Sequence, residues 1–313
     1  MKRLFLILVP LILAGCLSFE LSREEYCSKA WRWDLECALN LTLTDEEVKK
    51  IGELAESLRG NDCVESSWNV LEWVEENIEY DNFKAQLSSP IIITKGKEIM
   101  VQNPDRIYQT PIETVKIRRG ICGDYAILIA AFMINLNCKP YVLRFEFTEE
   151  ETGHLAVGLL LDQYYVLDQK LPPMDLGSYY KKWLHQGKRI NRTYIYDYGL
   201  LIGEISANEM RNLDYNFSSS DLRFLKDRLR ISLREYFRED SGIPQGYWEY
   251  LSLKITFQNY ADFYTPVFAE KFAEKISKEV LRAIKEYKKD WKAFKLEISQ
   301  ISGDLVVEVQ LAK

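Results

Sequence analysis

One run of the chain, 127–136, contains a single polar residue, Asn135. That length exceeds an ordinary strand and predicts a helix apolar on nearly every side, buried in the middle of a domain. Elsewhere the pattern is one-sided. Thr44-Asp45-Glu46-Glu47 reads as a capping box, and Val48, Ile51, Leu54, Ala55 and Leu58 follow on one face with Gly60 as a stop. A second amphipathic helix starts near Ser66 or Ser67, with Trp68, Leu71, Val74 and Ile78 facing inward. From Asn82 to Gln109 the helical period fails. Ile91-Ile92-Ile93 and Ile99-Met100-Val101, set about Lys95-Gly96-Lys97, fit either a hairpin or an irregular loop over a groove. Thr110-Pro111-Ile112-Glu113 then opens a short helix that Gly120 closes, so the chain turns a sharp corner before the buried helix.

Beyond that helix the period changes to two. Tyr141, Leu143, Phe145 and Phe147 share one side of a strand, and His154 to Leu159 and Tyr164 to Asp168 read as a hairpin. Centred on Leu161, that hairpin puts His154, Ala156 and Gly158 on one face with Tyr164, Val166 and Asp168. A two-residue turn at Asp162-Gln163 would put Asp168 on the wrong side, so the pattern demands an odd loop or a bulge. Tyr194 to Ile205 is a further strand region, and Asp221 to Phe237 a charged amphipathic helix ending before Ser241-Gly242-Ile243-Pro244-Gln245-Gly246. The tail reads as a strand (251–258), a long helix (266–289) and two strands about Ser302-Gly303-Asp304. The expected division is a helical region at 17–63, an α+β core at 64–205, a helical linker at 206–246 and a small α+β module at 247–313.

Composition alters this picture little. Of 313 residues 47% are hydrophobic and 28% charged, and the net charge of -6 with no basic stripe argues against a nucleic-acid partner. Two histidines, His154 and His185, and no paired zinc-type cysteines are too few for a His-rich metal site, which leaves only a carboxylate site open, and no metal or cofactor is expected. The N-terminus matters more. Lys2 and Arg3 precede an apolar stretch from Leu4 to Leu13, which ends at Leu13-Ala14-Gly15-Cys16. This reads as an export signal over 1–16 whose last residues resemble a lipobox, so Cys16 is expected to carry lipid and tether the chain outside the cytoplasm. In that compartment disulfides persist. Cys27, Cys37 and Cys63 lie close along the chain and are expected to supply a bridge stapling the N-terminal region, with Cys138 the fourth candidate.

Cys122 stands apart from that set. Gly120 and Gly123 flank it where a turn feeds the buried helix, so the unpaired N–H groups of the first helical turn bias its thiol toward thiolate. A cysteine beside an apolar helix is most often a small buried hydrophobe. What changes its reading is the order Cys122, His154, Asp168. A thiol nucleophile needs a base within hydrogen-bond reach, and the imidazole needs a third group to fix its tautomer and hold its charge.

These residues resemble the transglutaminase-like superfamily of papain-like cysteine enzymes, and its archaeal and bacterial members more than the animal cross-linking enzymes. Gly120-Ile121-Cys122-Gly123-Asp124-Tyr125-Ala126 is similar to the family's cysteine signature, Gly153-His154-Leu155-Ala156-Val157 to its histidine strand, and Val166-Leu167-Asp168 with Leu171-Pro172-Pro173 to its aspartate strand. The similarity spans roughly residues 64–200. It implies a buried central helix packed on an antiparallel sheet. It further implies that Cys122 attacks a peptide or glutamine carboxamide, that His154 moves the proton and that Asp168 orients His154. The acyl group would then pass to an amine or to water. Two departures stand out: Leu155 and Ala156 follow the histidine without the usual aromatic, and no tryptophan lies between Trp73 and Cys122 to serve an oxyanion hole. Beside the Cys122 N–H, the candidates for a second donor are Gln86, Gln102 and Gln109. The competing expectation is a surface lipoprotein that uses the same groove only to bind a protein or peptide.

Overall fold

The computed structural model describes residues 21–148, 150, 153–287 and 289–313. The expected export signal and Cys16 lie outside the described residues. The centre is a six-stranded antiparallel sheet in the order Leu200–Ser206, Ile190–Asp197, Pro140–Phe147, His154–Leu160, Tyr164–Leu167, Met174–Asp175. Strand alternation decides what each face covers. Val142, Leu155, Val157 and Leu167 pack against the helix Cys122–Asn135, which is buried at every position from Cys122 to Met133. On the other face Leu143, Phe145, Ala156 and Val166 pack against Leu176 and Tyr179 of the helix Leu176–His185. The fold is α+β, with the buried helix packed on one face of the antiparallel sheet, as the resemblance implies.

Four expectations are corrected in detail. The helix expected from Asp45 onward breaks into Asp45–Lys49 and Gly52–Glu56. The cause is Asn135, the one polar residue of the apolar run, whose Nδ2 donates to the Val48 carbonyl at 2.8 Å and so takes an acceptor the continuous helix would need. The helix Pro111–Ile117 carries the expected capping box but ends at Arg118 in the left-handed conformation (φ 54°), not at Gly120. Gly120 instead pairs in a short parallel bridge with Tyr80. The 154–168 hairpin pairs Leu160 with Tyr164 and Gly158 with Val166, so its loop is the odd one, 161–163, centred on Asp162 and not on Leu161. Parity is therefore kept while Asp168 shifts along the strand. Finally, the segment 206–246 is no linker: the helix Ser219–Arg234 buries Leu225, Leu229 and Leu233 against the helix Ala269–Glu286 and the second sheet. That sheet runs Arg238–Glu239, Ala293–Ile301, Asp304–Ala312, Tyr250–Phe257.

Among the described residues two disulfides staple the chain. Cys27–Cys37 joins the first two helices described, whereas Cys63 reaches across 75 residues to Cys138. The second bridge ties the start of the helix Cys63–Asn77 to the turn that follows the buried helix. Cys138 is thereby occupied, and Cys122 is the free cysteine among the described residues. Because the loop is long, opening it by Cys63→Ser with Cys138→Ser is expected to cost about 4 kcal/mol of stability. Chemical denaturation of the variant and the parent, compared under non-reducing conditions, measures that loss.

Candidate active site

The turn before Cys122 is built by one carboxylate. Asp124, the third residue of the buried helix, accepts the Ile121 N–H through Oδ2 at 2.8 Å and the Gln109 N–H through Oδ1 at 2.9 Å. Lys84 Nζ donates to Oδ2 at 2.6 Å, with both side chains buried. Burial pushes Asp124 above its ordinary value even though Lys84 and the two N–H groups pull it down. Close approach then explains both glycines. A Cβ at Gly120 would lie 2.7 Å from Asp124 Cβ, and one at Gly123 would lie 2.6 Å from Tyr108 Cε1.

Cys122, first in the helix, therefore presents its sulfur at the N-terminal end, where the helix dipole favours negative charge. His154 starts its strand with Nε2 3.0 Å from Asp168 Oδ1. The His154 ring also interacts with the Cys122 side chain, by hydrogen bonding and by charge. The next residue, Leu155, points its backbone N–H at the same sulfur. Asp168 is held in turn by the Tyr179 hydroxyl at 2.8 Å and Lys182 Nζ at 3.1 Å, both on its Oδ2. Trp183 stands edge-on to the imidazole, with centroids 4.9 Å apart.

Charge follows from this geometry. Burial alone would push the Cys122 thiol up, but its hydrogen bond to His154, the imidazolium charge and the Leu155 N–H outweigh burial and bring it below its usual value. Burial would also lower His154; Asp168 opposes this with its charge and hydrogen bond, Cys122 adds to it, and His154 is pushed up to about 10. Burial would raise Asp168, yet His154 and Lys182 hold its carboxyl well below the usual carboxylate range. The lowered Cys122 and the raised His154 both favour a thiolate beside an imidazolium.

A groove of about 400 Å³ opens beside Cys122, lined by Gly123, Leu155 and Tyr108 and, from the N-terminal helices, by Trp33 and Leu35. Of the residues singled out in the sequence, Cys122, His154 and Asp168 come together and the three glutamines do not join them. Gln109 is buried, but its Oε1 accepts from Thr114 Oγ1 at 3.1 Å. Gln86 ends the short helix Asn82–Gln86, Gln102 ends the hairpin strand Glu98–Gln102, both are exposed, and none of the three lines the groove. The residue that does line it is Tyr108, the neighbour of Gln109. It escaped notice, as did Lys84, because both lie in the stretch without period. Tyr179, Lys182 and Trp183 were missed too, although their spacing on one helical face was a usable signal. Among the described residues no group of three or more His, Cys, Asp or Glu side chains is placed to hold a metal.

The family model described as "Transglutaminase-like domain" matches residues 49–196. A UPF0252 protein of Archaeoglobus fulgidus is 41% identical over 320 residues, which cover 98% of this chain and 97% of that one. A UPF0252 protein of Pyrococcus furiosus is 28% identical, covering 90% and 85%. Among solved structures, Legionella pneumophila LapG is 13% identical, with a TM-score of 0.29 over 50% of this chain and 89% of that one. The chain belongs to the UPF0252 family, and its residues 49–196 are similar to the transglutaminase-like domain family.

Proposed function

We propose that this protein is a cysteine enzyme that breaks a peptide or glutamine amide through an acyl-enzyme on Cys122. The observation that carries the reading is the buried chain of charge from the Cys122 sulfur through His154 to Asp168, set beside an open groove. The Cys122 thiolate attacks the carbonyl carbon, and the C–N bond breaks as the His154 imidazolium gives its proton to the departing nitrogen. Water or a primary amine then adds to the thioester; His154 takes its proton, and the thiolate leaves. Asp168 keeps the ring oriented and its positive form stable, while Tyr179 and Lys182 fix Asp168. Donors at hand for the developing oxyanion are the Cys122 backbone N–H, unpaired at the helix start, and the Tyr108 hydroxyl.

The test is incubation of the protein with glutamine-containing peptides, with and without a labelled primary amine. Product that forms with the parent and vanishes with Cys122→Ala supports the reading, and the amine arm separates transfer from hydrolysis. Peptides bound without change by both proteins would favour the pure binder. Asp168→Asn removes the main group that raises His154, so turnover is expected to fall about 100-fold, with the alkaline limb of the pH profile moved to lower pH. A pH–rate profile of both proteins reads both effects. We further propose that the enzyme works outside the cytoplasm, tethered by lipid on Cys16. Its two disulfides support that address. Mass analysis of the mature N-terminal peptide, sought as a lipidated Cys16, tests it.

A further inference from the structure

The groove is not electrically even. Arg106 and Arg144 both line it with Cys122, and neither has an ion-pair partner among the described residues. Arg106 reaches only the Leu87 carbonyl and Ser89 Oγ, at 3.4 and 3.5 Å. Arg144 lays its guanidinium over the Tyr194 ring, 5.7 Å from the centroid. Its place in the sheet brings it to the reacting end: Arg144 pairs with Leu155, whose N–H points at the Cys122 sulfur. The two acids lining the groove, by contrast, are engaged. Glu36 pairs with Arg23 at 2.7 Å. Asp34 caps its own helix through the Cys37 N–H at 3.0 Å and accepts from the Tyr26 hydroxyl at 3.2 Å. In a chain of net charge -6, two arginines free to make planar, two-pronged contacts beside the nucleophile are out of keeping with the rest.

We propose that Arg106 and Arg144 select an acyl donor that carries a carboxylate next to the amide to be broken. The carboxylate comes either from an Asp or Glu side chain beside the target residue or from a chain terminus just beyond it. This names the substrate class for the acyl-transfer reading and rests on it. Held by Arg144, such a group fixes the carbonyl over Cys122 from one side, while an uncharged peptide is left to slide along the groove.

The experiment measures binding to full-length Cys122→Ala protein, so it does not depend on turnover. Four fluorescent peptides serve as probes: acetyl-Gly-Gln-Gly-amide, acetyl-Asp-Gln-Gly-amide, acetyl-Gly-Gln-Asp-amide and acetyl-Gly-Gln-Gly with a free carboxyl end. At least one carboxylate peptide is expected to bind about 10-fold tighter than the neutral one, and which one it is separates a side-chain source from a terminus. The preference is expected to shrink as salt rises. Adding Arg144→Met and Arg106→Met, which keep the apolar stems, is expected to abolish it, and Arg144→Lys to restore only part. Equal affinity for all four peptides at low salt overturns the proposal. So does a preference that survives both methionines in a protein whose thermal unfolding is unchanged. Failure of the acyl-enzyme reading would show separately, as no Cys122-dependent product from the peptide that binds best.

Discussion

His154→Ala is expected to lower turnover by about 1,000- to 10,000-fold and to slow alkylation of Cys122 by iodoacetamide at neutral pH. The two effects have one origin. In the parent protein the hydrogen bond to His154 is the largest influence offsetting burial of the thiol, and the imidazolium charge comes next. Without them burial is left with only the Leu155 N–H and the helix start against it, and the thiol returns toward the protonated, unreactive form. The pH dependence has a definite sign. Thiolate is lost as pH falls through the lowered Cys122 value, and the imidazolium is lost as pH rises through about 10. Activity should therefore be level across neutrality, with an acid limb from Cys122 and an alkaline limb from His154. Stability carries the matching signature. The raised His154 contributes stability fully present below its unfolded value and lost as pH rises through about 10; the lowered Asp168 contributes stability present above its unfolded value and lost in acid. Equal alkylation rates in parent and His154→Ala at pH 7 would rule out an activated thiol.

Lys84→Met is expected to destabilise the protein by about 3–5 kcal/mol, because it leaves the buried Asp124 carboxylate without its cation. The stem is kept, so little packing is lost. Asp124 already sits above its ordinary value through burial, and removing Lys84 raises it further. A carboxyl with a raised folded value favours folding when protonated and opposes it when ionised, so the gap between variant and parent should narrow as pH falls. Denaturant unfolding at neutral and acid pH tests this. An unchanged midpoint at both would mean that the turn before Cys122 does not depend on the pair.

What could be read in the sequence was set by periodicity. The buried helix is legible as an apolar run too long for a strand, the shared face of His154 and Asp168 comes from strand alternation, and the order Cys122, His154, Asp168 takes its weight from the family resemblance. Parity found the face of Asp168 but not its position along the strand, since a loop centred on Leu161 and one on Asp162 have the same alternation. The broken helix at Asn135 was out of reach for a different reason. Its cause is a single side-chain contact 87 residues away in sequence. Lys84 and Tyr108 share that fate: Lys84 sits in a five-residue helix too short to show a period, Tyr108 in no helix or strand, and only the fold brings them to Asp124 and Gly123. The helix at 219–234 is legible from its amphipathic pattern, but its place is not: Leu225, Leu229 and Leu233 show their purpose only once a second sheet exists to receive them.

The Cys27–Cys37 bridge closes a helical pair that contributes Trp33 and Leu35 to the groove. Next to Trp33, Arg32 binds Glu113 at 2.8 Å and takes the Tyr108 N–H on its own carbonyl at 2.7 Å. A piece that keeps this groove whole therefore begins at or before residue 23, not at the start of the sheet-and-helix core. A fragment opening at residue 64 keeps Cys122, His154 and Asp168 but leaves Tyr108 unanchored and one wall of the cleft missing. Trimming the chain to that core would leave Arg106 and Arg144 beside Cys122 but take Trp33 and Leu35 out of the groove.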